Sequence, residues 1–221
     1  MFRKYLLLGV SILSNLWIWR LFNFNYTIGA IIIITTILLW LTVQKNTKKY
    51  FLLTSLFFIL LLYFQLITTK VNTYTFSAIT GFNWSSVKLF LLSCFESINK
   101  LITNFSEIFD LNLYFFANYP RGRFWYIEFE KFPYSLLPIF LIGIFQIKKS
   151  YIYSIILGLS PVTLLSIIGN NNPIGPFVLF PIISIIIYLG ISYVVNNRKF
   201  IIPFIIFYIL TVIQAIAYAK Y

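Results

Sequence analysis

The stretch NYPRGRFWYIEFEK, residues 118–131, holds two arginines, two glutamates and a lysine. All five acidic residues of the 221-residue chain (Glu96, Glu107, Asp110, Glu128 and Glu130) lie between positions 96 and 130. These side chains are open to three kinds of chemistry. Arg121 and Arg123 carry forked guanidinium groups suited to bidentate contact with a phosphate. Phe124, Trp125 and Tyr126 beside them suit either a sugar face or a membrane–water interface. Glu128 and Glu130 would share one face of a strand, as a paired-carboxylate acid/base site requires. Glu107 and Asp110, three apart, would share a helical face and either chelate a cation or form a polar first turn. The run GNNNPIGP adds Asn170, Asn171 and Asn172, a turn by composition whose three amides could line a sugar site. A plainer reading stands beside them all: a solvated loop whose ion pairs are worth ~0–1 kcal/mol each.

Absent residues narrow the chemistry. The chain has no histidine, which excludes His-based acid/base catalysis, a Ser-His-Asp triad and HExxH zinc sites. Cys94 is the single cysteine, so neither an intrachain disulfide nor a cysteine metal cluster can form. No glycine-rich nucleotide loop occurs, and no cofactor or metal is implied. A net charge of +12 would suggest nucleic acid in a soluble domain, but 60% of the residues are hydrophobic and only 10% charged. That much apolar surface needs a lipid bilayer, and the basic residues sit between apolar runs. No nucleic-acid partner is expected.

The elements that must position these residues are helices, because backbone in lipid has to satisfy its own hydrogen bonds. The fold class expected is all-α: a polytopic membrane protein forming one domain, 1–221. A span needs ~20 apolar residues. Seven runs qualify or nearly so, at 5–22, 26–43, 51–67, 132–147, 151–168, 177–195 and 200–219. They divide into a three-helix part (1–67), an extracytoplasmic segment (68–131) and a four-helix part (132–221). Within the middle segment, 84–105 carries an apolar stripe through Trp84, Val87, Leu91, Cys94, Phe95, Ile98, Ile102 and Phe105. It predicts a helix lying flat in the outer interface, with an eighth span as the alternative. Gln65, Gln146 and Gln214 fall near span ends and receive no role. Asn25, Asn83 and Asn104 each open an Asn-x-Ser/Thr triplet on the expected outer side.

The phrases around Asn104, Phe105 and Ser106, then Tyr114, Phe115 and Phe116, precede a span with Pro138 and Gly143. A later span, FPIISIIIYLGI, has an internal Pro181 and a closing Gly190. This order resembles part of the multi-spanning GT-C-fold glycosyltransferases, relatives of protein mannosyltransferase and aminoarabinose transferase that use polyprenyl-phosphate sugars. The resemblance covers roughly 70–195 and implies the carboxyl half of such an enzyme. Two departures accompany it. The family's first outer loop carries a catalytic carboxylate, whereas RLFNFNYT, residues 20–27, has none. The family also tends to place a basic residue ahead of the proline matched by Pro181, whereas GNNNPIGPFVLFP, residues 169–181, is uncharged.

The resemblance implies a protein that handles a polyprenyl-phosphate-linked sugar at the outer leaflet, as a split partner or remnant without its own catalytic acid. A second membrane subunit would carry the catalytic loop. Arg121, Arg123, Asn170, Asn171 and Asn172 are the candidate substrate-binding residues, and no catalytic residue is assigned. The alternative is a non-enzymatic subunit packed against a larger membrane complex. A transporter fits less well, since the span interiors lack charge.

Loop charge sets the expected orientation. With the N-terminus inside, Arg3, Lys4, Lys45, Lys48, Lys49, Lys148, Lys149, Arg198 and Lys199 face the cytoplasm, against Arg20 and Lys220 outside. In a Cys94→Ser background, cysteines placed at Asn46 and Asn197 should resist an impermeant thiol reagent in intact cells, and one at Asn118 should react. Labelling at Asn46 or Asn197 would overturn this topology.

Overall fold

A computed structural model describes residues 2–16, 18, 21–22, 25–45, 47–68, 87–116, 131–168, 175–197 and 201–219. Among these, helix is the only regular element. In chain order they are α1 (Phe2–Leu13), α2 (Tyr26–Lys45), α3 (Lys48–Thr68), α4 (Val87–Phe109) and α5 (Asn112–Phe115). There follow α6 (Leu137–Phe145), α7 (Ile152–Leu159), α8 (Pro161–Ile168), α9 (Phe180–Asn196) and α10 (Ile201–Ala219). One 3₁₀ turn, Tyr134–Leu136, leads into α6, and another, Phe177–Leu179, leads into α9.

The core is built on α9. It is apolar all round, and every residue from Phe177 to Ile191 is buried, as expected of a helix surrounded by other helices. Its neighbours are α6, α1 and α2, with α7 and α10 at the margins. The tightest contact is with α6. A Cβ added to Gly143 would strike the carbonyl oxygen of Ile186, and one added to Gly190 would strike that of Ile139. Only glycine lets two helix backbones approach this closely. The Phe132 and Phe180 rings meet at 6.0 Å where the two helices begin, so α6 and α9 run in the same direction. Pro138 and Pro181 both stand in the first turn of their helices, where no intrahelical N–H bond is lost. The expectation of an internal proline at Pro181 is corrected accordingly.

Helices α2 and α3 form an antiparallel hairpin. Asn25 caps α2, its Oδ1 accepting the Thr27 N–H at 2.9 Å. Near the turn Thr42 and Thr54 are both buried, and their hydroxyls share a hydrogen bond of 2.9 Å between the helices. One hydroxyl donates across the pair, and the other donates to the carbonyl four residues back on its own helix, the usual way for threonine to be satisfied in an apolar helix.

Against seven expected spans, three helices among the described residues are long and apolar enough to cross a bilayer: Tyr26–Lys45, Lys48–Thr68 and Phe177–Asn196. A fourth candidate is the pair Tyr134–Phe145 and Lys149–Ser166, bent by 103°. The differences have local causes. The run 5–22 is not one helix, because Ser14 and Asn15 close α1 and the Leu16 N–H leaves for the Lys131 carbonyl at 2.9 Å. The run 151–168 divides at Ser160, because Pro161 lacks an N–H and crowds the preceding turn. The run 132–147 contracts to Tyr134–Phe145. The amphipathic helix expected at 84–105 is Val87–Phe109. Its Ile98, Ile102, Phe105 and Phe109 are exposed on one stripe, while Ile108 is buried. Asn104 Nδ2 donates to the Ser166 carbonyl of α8 at 3.0 Å, so its amide is already engaged.

The glycine crossing yields a direct test. Gly190→Ala should lower stability by ~1–3 kcal/mol through overpacking. Gly9→Ala, with nothing within 4 Å of the new methyl, should be neutral or gain ~0.5–1 kcal/mol from helix propensity. Unfolding midpoints in mild detergent would compare the two, and equal midpoints would contradict the crossing.

Candidate functional site

The two ends of the bundle differ in chemistry. At one end Arg3 donates to the Val195 carbonyl at 2.7 Å, which ties the start of α1 to the last turn of α9. Lys4 meets Gln44 and Lys45 meets Tyr50, each at 3.4 Å. Lys48 and Lys49 begin α3 after the same turn. Lys148 and Lys149 follow α6, which runs toward this end with α9. The described basic residues assigned to the cytoplasm therefore gather at one pole, while Arg198 and Lys199 lie outside the described residues.

Among the described residues, the opposite pole is polar but holds few charges. Here the end of α1, the end of α3, α5 and the beginnings of α6 and α9 converge on Lys131. The Tyr114 carbonyl accepts the N–H groups of Lys131 and Phe132 at 3.0 and 2.8 Å. The Lys131 carbonyl in turn accepts Leu16 N–H. Tyr114 is itself fixed by its hydroxyl, which donates to the Ile108 carbonyl at 2.8 Å. Burial pushes its phenol well above the ordinary range, so it stays a neutral donor.

Lys131 is only 3% exposed, although lysine is almost never fully buried. Its side chain lies across Gly175, with Cε 2.9 Å from where a Cβ would stand. Gly175 has a φ of 79°, a left-handed conformation that glycine adopts without strain. Backbone shape and the space taken by the lysine stem therefore both require glycine here.

Gln65 completes the junction. It is fully buried on α3, and its amide reaches the turn before α9 with both ends. Nε2 donates to the Gly175 carbonyl at 3.1 Å, and Oε1 accepts the Val178 N–H at 3.3 Å. The side chain thus caps a helix start from another helix, satisfying a donor that would otherwise be orphaned. Its position near a span end gave no reason to assign it a role, and the structure corrects that. The available signal was the amide itself, since a polar group within an apolar run needs a partner.

Arg121, Arg123, Glu128, Glu130, Asn170, Asn171 and Asn172 lie outside the described residues. The structure does fix where their segments rejoin the fold: 117–130 ends at Lys131 and 169–174 ends at Gly175, and these two residues touch. Asp110 acts as a turn cap, its Oδ1 accepting the Asn112 N–H at 2.9 Å. No group of three or more potential metal-ligating His, Cys, Asp or Glu residues occurs among the described residues.

Comparison with protein-family models, curated proteins and solved structures found no match to this chain.

Gln65→Leu should cost ~1–3 kcal/mol, because it leaves the Val178 N–H and the Gly175 carbonyl without the amide. Amide hydrogen exchange at the start of α9 should quicken, while exchange at the α2–α3 turn should not. Unchanged protection at Val178 would remove the capping role.

Proposed function

We propose that this chain is a multi-pass protein of the cytoplasmic membrane, N-terminus inside, that holds the phosphate of a lipid-linked sugar at the outer leaflet. On this reading it does not transfer the sugar itself. The helices α2, α3 and α9 would cross the membrane, with the bent pair Tyr134–Phe145 and Lys149–Ser166 as a broken span. The α4 helix would lie in the outer interface with its exposed apolar stripe toward lipid.

One observation carries the reading. A lysine is buried at the pole opposite the basic end, where the two segments holding the candidate arginines and asparagines rejoin the fold. An ammonium group is a compact charge with three donors, so it can engage a phosphate oxygen in addition to protein partners. Arg121 and Arg123 would add bidentate contacts, and Asn170, Asn171 and Asn172 would face the sugar. The GT-C resemblance supports the choice of a polyprenyl-phosphate ligand through the order of its residues. The packing of Gly143 and Gly190 accounts for those two glycines without it. Residues 20–27 contain no carboxylate, which supports a second subunit as the source of the catalytic acid.

The test is a titration of purified protein with a polyprenyl phosphate and with the matching polyprenol. Phosphate should be required for binding. Lys131→Met, and Arg121 and Arg123 changed together to alanine, should each weaken binding by ~1.5–3 kcal/mol per lost charge-assisted hydrogen bond. Changing both arginines to lysine should restore part of it. Equal affinities across wild type and the arginine variants, or for the alcohol and the phosphate, would sink the proposal.

A further inference from the structure

A half-open cleft of about 340 Å³ opens at the basic pole, between the start of α1 and the end of α2. It lies within the size range of small-ligand sites, about 300–1,000 Å³. Its walls are Tyr5, Trp40 and Leu41, and its polar groups are Lys4, Gln44 and Lys45. The Tyr5 and Trp40 rings pack at 5.2 Å, and Tyr188 of α9 stands edge-on behind Trp40 at 6.1 Å. The cleft therefore has an aromatic wall fixed against the core helix.

Three features describe its ligand. Lys4 and Lys45 bring two cations to one cleft, and the partners they show are neutral: the Gln44 amide oxygen and the Tyr50 hydroxyl, each at 3.4 Å. Lys45 also stands 5.3 Å over the Tyr50 ring. Next, Trp40 is buried, and its indole faces Tyr188 of α9, which holds the ring in place as the apolar wall of the cleft. The third feature is the mixture itself: cationic groups beside an apolar wall match a molecule with an anionic head and an apolar body.

We infer that this cleft is a binding site for an anionic phospholipid of the cytoplasmic leaflet. The phosphate would lie between the Lys4 and Lys45 amines, with the Gln44 amide as a further donor and the first acyl carbons along Tyr5, Trp40 and Leu41. Position supports a lipid over a free anion. The cleft lies at the end of the α2–α3 hairpin, whose helices are 20 and 21 residues long. A length of ~1.5 Å per residue puts that end at headgroup depth when the hairpin spans a core of ~30 Å. Basic pockets between helices on the cytoplasmic side are suited to anionic headgroups. The inference rests on the membrane reading given above, but not on the lipid-linked sugar.

The test uses the full chain purified in a neutral detergent and titrated with dioleoyl phosphatidylglycerol, dioleoyl phosphatidylcholine or free glycerol phosphate, with bound species counted by native mass spectrometry. Recovery of the chain in the membrane fraction checks the membrane reading separately. Phosphatidylglycerol should bind at least about tenfold more tightly than phosphatidylcholine, and glycerol phosphate should not compete. The Lys4→Gln and Lys45→Gln double variant should lose about tenfold, the equivalent of one charge-assisted hydrogen bond. Trp40→Phe keeps the aromatic wall and should bind like wild type. Lys4→Arg with Lys45→Arg should bind like wild type, and far-UV circular dichroism should match throughout. Equal binding of the two phospholipids, or full binding by the glutamine variant, would overturn the proposal. Competition by glycerol phosphate would overturn the lipid and leave a free-anion site.

Discussion

The close approach of α6 and α9 at Gly143 and Gly190 is the constraint on which the rest of the bundle depends. Two backbones in contact leave no room for a side chain between them, so the two helices are held at close range at this point. Because they run in the same direction, their 3₁₀ turns and prolines begin at the same pole. Phe132, Phe115 and Phe180 then fill the space between those starts, with ring separations of 5.9 and 6.0 Å. The segment around Lys131 has to lie against the turn that carries Gly175, because each leads into one member of this pair.

Away from that crossing, several buried hydroxyls are paired within the bundle. Ser11, Ser14, Thr35 and Thr36 bond carbonyls three or four residues back. Ser135 and Thr211 join the start of α6 to α10. Hydroxyls that satisfy themselves along their own helix add little orientation between helices. Contacts across helices do that, and three are prominent: Thr42 with Thr54, Ser135 with Thr211, and Gln65 with the turn before α9. The architecture is therefore held by packing in the middle and by sparse polar ties toward the ends.

The sequence made the long helices legible because their length, apolarity and flanking lysines agree. Tyr26–Lys45, Lys48–Thr68 and Phe177–Asn196 lie close to the runs 26–43, 51–67 and 177–195. Interrupted segments were harder to read. Ser14 and Asn15 sit within an otherwise apolar run, and the diversion of Leu16 to Lys131 depends on a residue more than a hundred positions away. Pro161 was a local signal for a break, but the apolar content of 151–168 outweighed it. The segment 118–131 ends on Lys131, and nothing in the type or spacing of its charged residues sets that lysine apart. Burial distinguishes Lys131 from the other described basic residues, and burial is set by the fold, not by spacing. Gln65 shows the same limit, since its partners lie 110 and 113 residues away.

Gln65 also bears on the order of assembly. The α2–α3 hairpin carries the amide that the start of α9 requires, and it precedes α9 in the chain by more than a hundred residues. During synthesis the hairpin can complete its own backbone bonding and its Thr42–Thr54 tie before α9 exists. The start of α9, by contrast, emerges with a Val178 donor whose acceptor is already in place on another helix. The early hairpin thus acts as a template, and a late helix that arrives out of register finds its first turn without that acceptor. Selection of the correct register is in this way built into biogenesis, at the cost of one buried glutamine.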